Sequence, residues 1–190
     1  KETTIFIYKT ISEANVGNVS YFKVFSGKLK VGDELINVDN DTAERFNHIY
    51  TANGKTRTEV NELIAGDIGV TVKLKNSHTN NTLNQKGVSR AIEPIQFPAP
   101  RFRTAMIPPD KNLLEKVARA LSIIHEEDPT LVVEQSVELK QTILHGQGQL
   151  HLDIVKSRIE NTYGLNIEFT QPRIPYRETI RRMSESSYRH

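Results

Sequence analysis

The chain contains no cysteine in its 190 residues. That excludes a disulfide framework and any thiolate metal site. No apolar run approaches the ~18 residues of a membrane-spanning helix, and nothing has the layout of a signal peptide. Charge of one sign is not in excess: 25 Lys and Arg stand against 23 Asp and Glu, a net +2. The whole-chain basic field of a free-standing DNA binder is therefore missing. The motifs of GTP hydrolysis are absent as well. There is no phosphate loop G-x-x-x-x-G-K-[ST], no D-x-x-G switch and no base-reading N-K-x-D. Ser122, Ser136 and Ser157 lie in no nucleophile motif, and no residue is expected to act as a catalyst. Triplets of the N-x-[ST] type at Asn18, Asn40 and Asn80 are read as chance, because secretory marks are lacking.

What is present falls into two patterns, which suits one or two small domains. Residues 4–83 read as short strands. Ile5, Ile7 and Lys9 alternate with Phe6 and Tyr8, and Val19, Tyr21, Lys23 and Phe25 alternate with Phe22 and Val24. Further strands are expected over 34–38, 43–50 and 67–74. Ser26-Gly27, Asn53-Gly54 and Gly66-Asp67 supply turn chemistry between strands. The spacing predicts a closed or nearly closed antiparallel barrel. Leu29-Lys-Val-Gly32-Asp33 and Leu63-Ile-Ala-Gly66-Asp67 share L-x-x-G-D and are read as two similar turns, each just before a strand. The polar hairpin 52–61 carries Lys55 and Arg57 beside a glycine turn, where two cations could meet RNA phosphate. An ordinary solvated hairpin is the equal alternative. Residues 76–86 read as an Asn/Thr-rich loop without nameable chemistry.

Three prolines in 91–100 forbid a helix and favour an extended path. This stretch is read as a linker that lets two domains reorient. Beyond it the period changes. A strand over 102–107 stops at Pro108-Pro109, and Asp110 is placed to cap a helix. Leu113, Val117, Leu121 and Ile124 give that helix one apolar face, and Asp128 before Pro129 ends it. Strands over 131–138 and 141–145 follow, joined through Glu138-Leu139-Lys140. Next come the turn His145-Gly146-Gln147-Gly148 and a second helix over 150–163, with Leu152, Val155, Ile159 and Tyr163 on one face. Gly164 ends it before a last strand over 166–170. The order βαββαβ predicts a ferredoxin-like sheet with two helices on one face.

Few side chains in this half suggest chemistry by themselves. G-x-G after a strand is a weak signal, and Leu150 and His151 occupy the place of a dinucleotide fingerprint's third glycine, so a packing turn is favoured. His151 and Asp153 diverge on a helix, and His145 supplies no third ligand, so no metal site is expected. The run Glu126-Glu127-Asp128 is read as solvated charge at a helix end. Arg158 is expected to pair with an acid within the protein rather than with RNA phosphate.

Four blocks in order carry a resemblance over nearly the whole chain. They are GNVSYFKVFSG at 17–27, Glu126-Glu127-Asp128-Pro129-Thr130, Gly146-Gln147-Gly148-Gln149-Leu150-His151-Leu152-Asp153, and Tyr176-Arg177-Glu178-Thr179-Ile180. Together they resemble elongation factor G, the translational GTPase family. The resemblance implies a translation-factor barrel of the second-domain type over 1–90, the linker 91–100, a ferredoxin-like third domain over 101–175, and the opening of a truncated fourth domain over 176–190. It implies a G domain before Lys1 that holds GTP with Mg, with no cofactor in this segment. The expected work is mechanical: docking on the ribosome and relaying the nucleotide state of the G domain to the fourth domain. Implied partners are the ribosome, through small-subunit RNA and protein, and the parent's own G and fourth domains. No membrane is implied, the protein is expected to be monomeric, and the expected compartment is the cytoplasm. In the family the antibiotic fusidic acid lodges among the G domain, barrel and third domain. By motif, Asp128 and Thr130 face that pocket, and His151 and Arg158 border it. The chain departs from the family at Gln147 and Gln149, where Met and Glu are usual, at His145, where a small residue is usual, and at Lys23, where Arg is usual. A divergent paralogue is therefore as open as the housekeeping factor. The alternatives are a ribosome-protection type of translational GTPase and an autonomous RNA-binding or scaffolding module.

Overall fold

In the computed structural model, which describes residues 1–177 other than Pro109, the chain builds two hydrophobic cores. The first belongs to a β-barrel. β1 (Thr4–Glu13) and β2 (Gly17–Ser26) form its long central hairpin. β3 (Lys28–Lys30), β4 (Glu34–Asn37), β5 (Thr42–Arg45), β6 (Ile49–Asn53), β7 (Thr56–Val60), β8 (Glu62–Ile64), β9 (Ile68–Val72) and β10 (Thr82–Asn84) complete it. Eight of these strands pair antiparallel in the order β5-β4-β10-β1-β2-β9-β6-β7, and β3 with β8 makes a separate ribbon. Ile5, Ile7, Phe22, Leu29, Phe46 and Leu83 lie at the centre of the core. Phe22 and Phe46 meet edge to face with centroids 5.8 Å apart, the arrangement favoured by the ring quadrupoles.

The L-x-x-G-D echo is one device used twice. Leu29 and Leu63 are cross-strand partners in the β3–β8 ribbon. After each, a glycine takes a left-handed backbone, φ 92° at Gly32 and 103° at Gly66, which a Cβ would disfavour. Each following aspartate closes its turn, Asp33 accepting the Lys30 amide at 2.8 Å and Asp67 the Ile64 amide at 2.8 Å.

Two readings of the barrel are corrected. The stretch 43–50 is not one strand: it breaks at Phe46, Asn47 and His48. The Phe46 ring turns into the core, and its backbone bonds Gly32 and Asp33 instead of continuing the ladder. The stretch 76–86 is not all loop. It contains β10, whose three residues are buried between β1 and β4.

The second core lies in an α+β unit. β11 (Phe102–Ile107), α1 (Leu114–Glu127), β12 (Val132–Ser136), β13 (Gln141–Gly146), α2 (Gln149–Tyr163) and β14 (Glu168–Thr170) follow in sequence. The antiparallel order β12-β13-β11-β14 puts the first and third strands in the middle, the ferredoxin-like arrangement. Val117, Leu121 and Ile124 of α1 and Leu152, Val155 and Ile159 of α2 pack on Met106 and Leu144 of the sheet. Asp110 does not cap α1 directly. It accepts the Asn112 amide at 3.1 Å and closes a short 3₁₀ turn, Lys111–Leu113, ahead of the helix. Gly164 ends α2 at φ 65°, its amide bonded to the Glu160 carbonyl. From 178 onward, the expected opening of a fourth domain lies outside the described residues.

Gly69 sits in β9 facing the barrel core. A Cβ there would run into Leu63 Cδ1 and lie 2.5 Å from Phe22 Cζ. Gly69→Ala is expected to destabilise the barrel by about 1–3 kcal/mol through overpacking, read as a lower denaturant midpoint.

Candidate functional site

The acid run at the end of α1 is bonded to several separate elements. Pro129 stops the helix, and Asp128 folds back on the turn that follows. Its Oδ1 accepts the Thr130 amide at 3.0 Å and the Thr130 hydroxyl at 2.6 Å. Its Oδ2 lies 2.9 Å from His151 Nε2 at the start of α2. Burial alone would raise the Asp128 pKa, but the Thr130 bonds and the neighbouring His151 outweigh it and hold the carboxyl below its ordinary value. On the other side of the ring, His151 Nδ1 accepts the Gln147 amide at 3.0 Å. This network assigns the imidazole proton to Nε2.

The glycine turn exists to let that ring lie across it. A Cβ on Gly146 would meet Leu152 Cδ2 at 2.7 Å and His151 Nδ1 at 2.9 Å. Gly148 differs: its backbone is extended, and a Cβ would meet nothing within 4 Å. The turn is thus a packing and positioning device with one indispensable glycine.

Reading Glu126-Glu127-Asp128 as merely solvated is overturned. Each acid holds a different element. Glu126 Oε1 lies 2.8 Å from His78 Nδ1 on the loop before β10. Glu127, whose side chain is only 10% exposed, pairs with Arg158 of α2 through Oε2 and accepts the Ser12 amide of β1 through Oε1. A charge so far removed from water must be paired. Asp128, Thr130 and His151 thus form one bonded cluster, and Arg158 joins it through Glu127. The internal acid partner expected for Arg158 is present.

The linker is bonded at Ile92, Ile95 and Pro98. Asn80 exchanges two side-chain bonds with the Ile95 backbone, each 3.0 Å. The Ile92 amide donates to Thr82 Oγ1 at 3.0 Å, and just ahead of the linker Asn84 donates to the Val88 and Arg90 carbonyls. On the other side, Gln147 Nε2 donates to the Pro98 carbonyl at 3.0 Å. The loop 76–81, which suggested no chemistry, is a hub for both the linker and α1.

The barrel carries a second candidate. Lys55 sits exposed at the tip of the β6–β7 hairpin, while Arg57 is drawn inward by an ion pair with Glu13. The two cations do not form one patch. Arg57 instead lines an open cleft of about 520 Å³ with Arg45, Lys73, Asn47, His48 and Tyr50. The His48 and Tyr50 rings are stacked, centroids 6.4 Å apart and planes 18° apart. Cations around a stacked ring pair suit phosphate and base together. Sequence reasoning missed Arg45, Lys73 and Tyr50, because they come from three separate segments and no motif joins them.

The comparisons with known proteins match this architecture. The family model for elongation factor G domain 2 matches residues 2–86, and that for elongation factor G domain III matches residues 97–171. The elongation factor G of Thermotoga neapolitana is 36% identical over 96% of this chain and 26% of its own length. An elongation factor G-like protein of Thermotoga maritima is 33% identical over 97% of this chain and 27% of its own. A crystal structure of a Thermus thermophilus protein superposes with a TM-score of 0.81 at 31% identity, covering 93% of this chain and 27% of that one. The chain thus spans about a quarter of the length of the curated relatives it matches.

Two outcomes follow from this geometry. Gly146→Ala is expected to lower stability by about 1–3 kcal/mol, whereas Gly148→Ala leaves the denaturant midpoint nearly unchanged. The lowered Asp128 pKa contributes stability that is fully present above the ordinary carboxylate range and is lost as pH falls through the folded value. Asp128→Asn is therefore expected to flatten the acid side of the stability–pH curve, measured by denaturant midpoints at stepped pH.

Proposed function

The chain belongs to the elongation factor G family, of which it carries the second- and third-domain segments, and we propose that these form the docking and coupling region of a translational GTPase. The GTP site, with its Mg, belongs to a separate G domain of the parent protein. The work of this region is mechanical. The barrel docks on small-subunit RNA, and the ferredoxin-like domain relays the state of the G domain towards a fourth domain. The parent acts as a monomer in the cytoplasm. Among the described residues no helix is long and apolar enough to cross a membrane.

One observation carries this reading: the cleft of Arg45, Arg57 and Lys73 around the His48–Tyr50 stack. It supplies the charge and flat rings that an RNA backbone and an unpaired base require. The net charge of +2 agrees with a local patch rather than a general nucleic-acid field. Asp128, Thr130, His151 and Arg158 face the G domain in this reading and border the fusidic acid pocket.

The test is GTP hydrolysis by the full-length gene product with and without ribosomes. Strong stimulation is expected. The pair Arg45→Ala and Lys73→Ala should weaken ribosome affinity and reduce the salt dependence of binding by about one unit of slope per lost phosphate contact. Stimulation and salt slope unaltered by the pair would remove the cleft from the docking surface. No stimulation at all would contradict the GTPase reading.

A further inference from the structure

Glu127 divides its two carboxylate oxygens between two domains. Oε1 accepts the amide of Ser12 at the end of the barrel's β1, and Oε2 pairs with Arg158 on α2. Charge-assisted bonds of this kind are about twice as strong as neutral ones. Each also depends on the other. The guanidinium orients the nearly buried carboxylate, and the oriented carboxylate holds the barrel amide. The Arg158 side chain remains 37% exposed, so it can be reached from outside while Glu127 cannot.

The path continues within the barrel. The residue after Ser12 is Glu13, and its carboxylate holds Arg57 at the edge of the cationic cleft. Two consecutive residues of β1 therefore connect the cleft to the acid run. A second interdomain contact, Glu126 to His78, lies beside the first, but its histidine side chain is 56% exposed. Ion pairs that open to water contribute little, so of these two acid contacts Glu127 carries the greater weight.

We infer that Glu127 couples the outer face of α2 to the barrel, so that an anionic group engaging Arg158 loosens the contact between the two domains. A carboxylate or phosphate presented to Arg158 competes with Glu127 for the guanidinium. Glu127 is then left as a desolvated charge with one amide partner. It escapes by turning towards water, and turning releases Ser12. Nothing in this sequence of events depends on what the barrel binds. The coupling and the docking proposal can therefore fail separately.

The chain offers a clean test, because it has no native cysteine. Glu34→Cys on β4 and Thr162→Cys near the end of α2 are both exposed positions for spin labels. Pulsed electron spin resonance on the 190-residue chain, without ribosomes, then reads the interdomain distance. The unsubstituted background is expected to give one narrow distribution. Arg158→Ala, standing in for capture of the guanidinium, is expected to broaden it or add a second distance. Arg158→Lys keeps the charge and should recover most of the narrow component. Lys156→Ala removes a pair with Glu160 inside α2 and should leave the distribution unchanged. Circular dichroism reports whether each variant is folded. If Arg158→Ala does not fold, Glu127→Gln replaces it: it retains an acceptor for Ser12, loses the ion pair, and is expected to broaden the distribution. A folded Arg158→Ala or Glu127→Gln chain with the original narrow distance overturns the inference.

Discussion

A backbone amide that its own sheet does not satisfy is the constraint on which the domain arrangement depends. Ser12 pairs in register with Asn18 but gives its N–H to Glu127. Ser12 is half-buried where α1 covers it, and a donor covered without a partner loses its bond to water with nothing in return, so an acceptor from outside the barrel is favoured there. Glu127 supplies it and then requires a cation of its own, because a carboxylate so nearly buried is unfavourable without a partner. Arg158 answers that demand from α2. Asp128, one residue on, repeats the logic within the domain by holding Thr130 and His151. One short acidic run thereby satisfies the end of a strand, the start of a helix and the turn between α1 and β12.

The same demand for satisfied polar groups explains the linker. Prolines keep residues 91–100 out of helix and sheet, so their carbonyls and remaining amides bond to side chains or to water rather than to a ladder. Asn80 and Thr82 provide partners from the barrel side, and Gln147 provides one from the glycine turn. Gln147 is a position where the family usually has Met, whose thioether could not donate this bond. The departure from the family pattern therefore has a local structural use in this chain.

Much of the fold was legible because it rests on short-range periodicity. The 3.6-residue spacing of Val117, Leu121 and Ile124, and of Leu152, Val155 and Ile159, marks both helices and their buried faces. The L-x-x-G-D echo marked its two turns. The break at Phe46 was not legible, because an apolar residue that turns into the core looks the same in sequence as one that continues a strand. The joint was illegible for a different reason. Ser12 and Glu127 lie 115 residues apart, and His78 and Glu126 lie 48 apart. No local pattern distinguishes an acid that will be desolvated by a distant domain from one that stays in water. Of the candidate site, the cluster of Asp128, Thr130, His151 and Arg158 came from motif resemblance. The barrel cleft, assembled from β5, β6, β7 and the end of β9, emerged only in three dimensions.

Above all, the acid run joins two separately cored domains. Amide hydrogen exchange at Ser12, followed by NMR in the 190-residue chain, tests that joint most directly, because this amide's acceptor belongs to the other domain. Protection at Ser12 comparable to that of the β1–β2 ladder amides is the expected result. Exchange at the rate of an unprotected amide, with the ladder around it still protected, would contradict the joint.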